Sequence, residues 1–196
     1  MSSLVISGDT SGQVTLAAPA VAGSNTITLQ AATATSSVNV LGTAVASTSG
    51  TSIDFTGLPS WIKRITVQFS GVSTNGSSVI QVQLGTGSTS YTITGYLGSS
   101  LASTSATSPL IVLQTAGMAI GPDGGPTFVK HGTLVITNIT GNTWVGNGNG
   151  ANSEIARVWT CGSSIALAAT LTAVRITTVN GTDTFDAGTI NILYEG

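Results

Sequence analysis

Seven acids, one histidine and one cysteine are the groups in this chain that could carry acid–base, nucleophilic or metal chemistry. Asp183 and Asp186 stand three apart in "GTDTFDAG", one reading of which is a carboxylate pair for glycoside hydrolysis. No other acid and no aromatic groove is tied to them, so they read as a solvated turn after Asn180-Gly181. His131 in "VKHG" and Cys161 in "RVWTCG" are each alone, and neither completes a zinc or non-haem iron ligand set. Cys161 alternates with apolar neighbours and reads as a small buried hydrophobe rather than half of a thiol dyad with His131. Lys130 and His131, beside Gly132, read as a strand end or bulge. Asp9 in "GDTSG" and Asp123 in "GPDGGP" lack the close succession of acids that calcium loops use. They read as turn residues bonding their own backbone. No G-x-S-x-G elbow or phosphate-loop Gly-Lys pair occurs. "GTGSTSYTITG" opens no helix and lacks a third glycine, so it is no dinucleotide site. The expectation is a chain with no catalytic residue, no metal and no cofactor.

Binding chemistry is better represented. Trp144 stands in "GNTWVGNGNGANS", Gly141 to Ser153, which reads as a loop too rich in Gly and Asn to be regular. An indole beside amides is what a non-catalytic sugar site uses: the ring stacks and the amides bond hydroxyls. Trp144, Asn147, Asn149 and Asn152 are therefore candidate glycan contacts. The competing reading makes Trp144 a packing residue at a hairpin end. Trp61 reads as a core or rim plug, and Trp159 shares a face with Arg157 and Cys161.

Composition narrows the partners. Charged residues are 6 % of the 196 and the net charge is −2, against about 25 % charged in ordinary domains. No basic excess exists to meet phosphates or anionic lipid, so neither nucleic acid nor membrane is expected. "MSSLVISG" lacks the basic and long apolar regions of a signal peptide. "PLIVLQTAGMAIGP" is too short and too broken to span a bilayer. A surface of hydroxyls and amides is weakly defended against self-association, which points to surface covered by partner subunits.

The elements that must position these residues are strands. In "IKRITVQFSG", Ile65, Val67 and Phe69 share one face, and in "SSVIQVQLG" Ile80, Val82 and Leu84 do the same. "STNG" between them predicts a hairpin with an Asn-Gly turn. Val174 and Ile176 lie opposite Arg175 and Thr177, and Ile190, Ile192 and Tyr194 share a face near the end. "SSIALAATLTA", Ser163 to Ala173, fits a short helix or a strand. Many short strands with turn signals between them predict an all-β antiparallel sandwich, jelly-roll-like. The Ser/Thr/Gly-rich "TAVASTSGTS" suggests a boundary between an N-terminal arm, 1–48, and a sandwich domain, 49–196. In the arm, Val14 and Leu16 form one short strand and Ile27 and Leu29 another, joined as a hairpin. That hairpin buries too little to stand alone.

"SLVISGDTSGQVTLAAPAVAGSNTITL" resembles the N-terminal module of tailed-bacteriophage virion surface proteins. "IDFTGLPSWIKRITVQFSGVSTNGSSVIQVQLG", with "TGYLGSS" after it, resembles a C-terminal module of similar proteins. The resemblance implies a virion component on the particle exterior, assembled as a homotrimer; with no signal peptide read in the sequence, synthesis in the host cytoplasm is expected. It leaves tail and head open. The expectations are a non-enzymatic tail-fibre-type adhesin, anchored on other virion proteins through Val14, Leu16, Ile27 and Leu29 and meeting a host-surface glycan. The alternatives are a capsid decoration protein and, third, a polysaccharide depolymerase.

Overall fold

A computed structural model describes residues 3–7, 13–17, 38–104 and 109–196 of the chain. No described residue is helical. The chain divides into two compact units, Met1–Ser36 and Ser37–Gly196.

In the first unit, β1 (Ser3–Ser7) pairs antiparallel with β2 (Gln13–Ala17). Val14 stands opposite Ile6 and Leu16 opposite Leu4. The Val14–Leu16 strand thus has the segment before it as a partner; its expected pairing with the Ile27–Leu29 strand is untouched by this. Ile27 and Leu29 lie outside the described residues.

The second unit is a two-sheet antiparallel sandwich. Its strands are β3 (Asn39–Leu41), β4 (Val45–Ala46), β5 (Ser52–Thr56), β6 (Arg64–Thr74), β7 (Ile80–Gly85), β8 (Leu97–Thr104) and β9 (Leu110–Gln114). They continue with β10 (Met118–Ala119), β11 (Lys130–Thr140), β12 (Thr143–Asn152), β13 (Arg157–Ala166), β14 (Ala173–Thr178) and β15 (Phe185–Glu195). The smaller sheet runs β10-β7-β14-β5. The larger runs β3-β15-β6-β11-β12-β13-β8-β9, with β4 also on β15. Residues 39–46, assigned above to the arm, therefore belong to the sandwich. The region 163–173 is the end of β13 followed by irregular chain.

The core forms where the inner faces meet. Ile65, Val67, Phe69, Ile80, Val82 and Leu84 are all buried there, with Leu134, Ile136, Val174, Ile176, Ile190 and Ile192. Each such side chain contributes about 1.5–3 kcal/mol by leaving water. The expected β6–β7 hairpin does not form. β6 pairs with β11 and β15, and β7 with β10 and β14. The two strands face one another from opposite sheets, and "STNG" carries the chain across. The β14–β15 connection crosses beside it. Asn75 N–H donates to Thr184 O at 2.9 Å, and Thr184 N–H donates to Asn75 Oδ1 at 2.9 Å. Ser78 N–H donates to Asp183 Oδ2 at 2.8 Å. Period-two alternation is the same for a strand that folds back in its sheet and one that crosses to the other.

Candidate functional site

"GNTWVGNGNGANS" is not a loop. Thr143 to Asn152 form β12, an interior strand paired with β11 and β13 along its whole length. Glycine serves its inner face. A Cβ on Gly146 would collide with Met118 Sδ, and one on Gly150 with His131 O and the Trp159 ring. Gly132, opposite Gly150, holds φ at +145° with the same indole against it. The alternation separates the candidate glycan residues. Asn147 and Asn149 point out to solvent, whereas Trp144 (4 % exposed) and Asn152 turn inward. Trp144 edges a depression of about 190 Å³ with Asn138, Asn142 and Thr170, its ring covered by packing. The four residues do not make one stacking site.

Asp183 and Asp186 are each tied into the fold by hydrogen bonds. Asp183 also accepts from Asn180 Nδ2 at 2.6 Å, and Asp186 accepts from Ser73 Oγ. His131 is exposed, and its Nδ1 accepts from Gly71 N–H at 3.2 Å. Cys161 faces the core, where burial pushes its thiol up to about 11. His131 stands opposite Ala151, and Ala151 opposite Val158, so Cys161 is three residues further along β13 and on the other face. Asp9 lies outside the described residues.

Asp123 sits in a buried ionic cluster. It pairs with Arg157 and lies 3.7 Å from Lys130 Nζ. Lys130 is 1 % exposed, and burial lowers its pKa to about 8. Asn152 lies between Lys130 and Arg157 in the sheet register. Neither atom of its amide has a hydrogen-bond partner among the described residues.

A polar cavity lies on the outer face of the smaller sheet. Register builds its floor: Gln81 stands beside Thr177 and Ser52, and Gln83 beside Arg175 and Asp54. Outer faces of such sheets ordinarily meet water, yet Gln81 is 1 % exposed and Gln83 6 %. The segment 115–117 closes over them. Gln83 Nε2 donates to Ala116 O at 3.0 Å, and Gly117 lies so near Gln81 that a Cβ would stand 2.8 Å from its Oε1. Thr177 Oγ1 donates to Thr51 O at 2.8 Å. Arg175 donates from Nε and Nη2 to the two oxygens of Asp54, at 2.8 and 2.7 Å, and its guanidinium lies 4.0 Å from the Tyr91 ring centroid. Those bonds raise the Arg175 pKa, while burial and the Asp54 charge raise that of Tyr91. The pocket holds about 320 Å³, with Ile93 and Val179 exposed at its rim.

In the sequence these residues read only as the polar side of two strands. Two glutamines two apart were the one local signal, and the register that sets them against Arg175 and Thr177 joins distant segments. No protein-family model matches the chain, and no curated protein matches it.

Proposed function

We propose that the chain is a non-enzymatic structural protein of a tailed-bacteriophage virion surface, a tail-fibre-type adhesin that works as a homotrimer. In this reading the N-terminal arm anchors on other virion proteins and the sandwich is displayed toward the host. The phage resemblance of the two quoted segments supports the setting. The observation that carries the reading is the outer face of the larger sheet. One row across it reads Gln68, Thr133, Asn149, Thr160, Leu101, Ile111, and the next Thr66, Val135, Asn147, Gly162, Ser99, Leu113. Neither row carries a charge. Both end at β9, which among the described residues pairs only with β8 and leaves Ile111 67 % and Leu113 75 % exposed. A neutral face ending in an apolar open edge favours burial against further copies of the chain.

Light scattering of the purified protein should give about three times 19.5 kDa, and Leu113→Lys should lower that mass without unfolding the sandwich. A stable parent monomer overturns the trimer. Copy number per virion tests the placement: a few multiples of three fit the tail, and hundreds would replace the adhesin with a head decoration protein.

A further inference from the structure

Lys130 and Asn152 are the last facing pair of the β11–β12 hairpin, at the end away from its turn at Gly141 and Asn142. Both side chains turn inward, Lys130 1 % and Asn152 5 % exposed. Directly opposite residues in an antiparallel pair stand roughly 4.5–5.5 Å apart at Cβ, within reach of a four-carbon lysine stem. The next inward pair, Gly132 and Gly150, has no side chains, and the Trp159 ring lies against both glycines. Gly121 covers the amine from another side: a Cβ there would stand 3.3 Å from Lys130 Nζ.

The pair is costly as it stands. The Lys130 ammonium makes no hydrogen bond among the described residues, and neither does either polar atom of the Asn152 amide. Asp123, at 3.7 Å from Nζ, lies beyond hydrogen-bond distance and is paired with Arg157. A buried charge and a buried amide without partners each destabilise a fold. Both costs fall at one place, and a single reaction between the two groups removes both.

We propose that Lys130 and Asn152 join as an intramolecular amide cross-link, with Asp123 carrying the protons. The Asp123 carboxylate takes a proton from the ammonium. The neutral amine adds to Asn152 Cγ; the new C–N bond forms and the electron pair of the C=O bond moves onto Oδ1. When the tetrahedral carbon collapses, the C=O bond re-forms and the Cγ–Nδ2 bond breaks. Of the three ammonium protons, one stays on the new amide and two leave on Nδ2, by way of Asp123, as ammonium. Atoms and charge balance, and neither water nor an oxidant enters. Burial favours the reactive amine by lowering the Lys130 pKa to about 8, and a dry site keeps water from competing. Arg157 is a positioning residue that holds Asp123 beside the amine. The product fastens the open end of the hairpin. The inference stands apart from the adhesin reading, and neither depends on the other.

The test is intact-mass spectrometry of the full chain, followed by unfolding and tryptic mapping. The charged groups beside Lys130 are Asp123 and Arg157. At about pH 7 most of the amine is still protonated, so fresh protein is largely unjoined and Lys130 titrates in it. Incubated folded at about pH 9, the chain should become lighter by one ammonia, and trypsin should cease to cut after Lys130. Fragmentation should place the link between Lys130 and Asn152. The map separates this link from ammonia lost at an Asn-Gly step, which leaves Lys130 cleavable. Asp123→Asn should join about tenfold more slowly or less. Lys130→Met, which removes the unmet charge, should fold and keep its full mass. A parent whose mass stays full, or whose Lys130 stays cleavable, overturns the proposal, as does an equal loss from Lys130→Met. An unchanged rate in Asp123→Asn overturns the part given to Asp123.

Discussion

Lys130 is the residue whose chemistry departs furthest from its sequence context. "VKHG" reads as a strand end beside a bulge, and the β6–β11 register does shift between Lys130 and Gly132. The sequence does not reveal that the ammonium is enclosed, because what encloses it comes from elsewhere: Gly121, whose added Cβ would stand 3.3 Å from Nζ, and Asp123 at 3.7 Å. Burial lowers its folded pKa from 10.5 to about 8. The unfolded chain then holds more protons than the folded one between those values, so this group makes stability rise with pH there. Cys161 acts in the opposite sense above about 9, because its folded pKa is pushed up to about 11. Tyr96, pushed up to about 12 by burial, joins it above about 10. The clear window is pH 7 to 9, where Lys130 should add about 1 kcal/mol. Urea unfolding at those two pH values checks this. Lys130→Met should flatten the rise, and an equal rise in that variant would assign it to another group.

At the scale of elements, β12 shows how a strand hides in a loop-like composition. Its glycines are needed on the inner face, where Met118 and Trp159 fill the space a side chain would take. Its asparagines meet water on the other. The Gly-Asn alternation is period two, but between Trp144 and Asn152 only glycines hold the inner face, so it carries almost no hydrophobic signal. Gly150→Ala should cost about 3 kcal/mol or more, since its Cβ meets backbone that does not yield. Gly162, on the outer face of neighbouring β13 with nothing within 4 Å of an added Cβ, is the control. Gly162→Ala should be neutral or stabilise by about 0.5 kcal/mol. Equal denaturation midpoints for the two variants would mean that β12 does not lie as described.

For the molecule as a whole, the sandwich begins earlier than its composition suggests. The Ser/Thr/Gly-rich segment near 45–51 resembles a linker, yet β3 before it and β4 within it pair with β15. Gly42 N–H donates to Ile192 O at 2.7 Å, and the buried Ser47 donates from Oγ to Ala187 O at 2.8 Å. A chain starting at residue 37 should melt within a few degrees of the full protein. One starting at Thr51 strips that edge of β15 and should melt about 5–10 °C lower. Differential scanning calorimetry separates the two, and identical melting would move the boundary back to the linker-like segment. The all-β class, the alternation of each patterned strand and the inward face from Ile65 through Leu84 were determined by the sequence alone. All three follow from side chains pointing alternately to two sides of an extended backbone, which is a local property. Only the tertiary structure decided which sheet each strand joined, because folding back and crossing over leave the same alternation. It also decided where polar groups converge: the Gln81–Thr177 and Gln83–Arg175 rows come from register between distant segments, and no local pattern encodes that register.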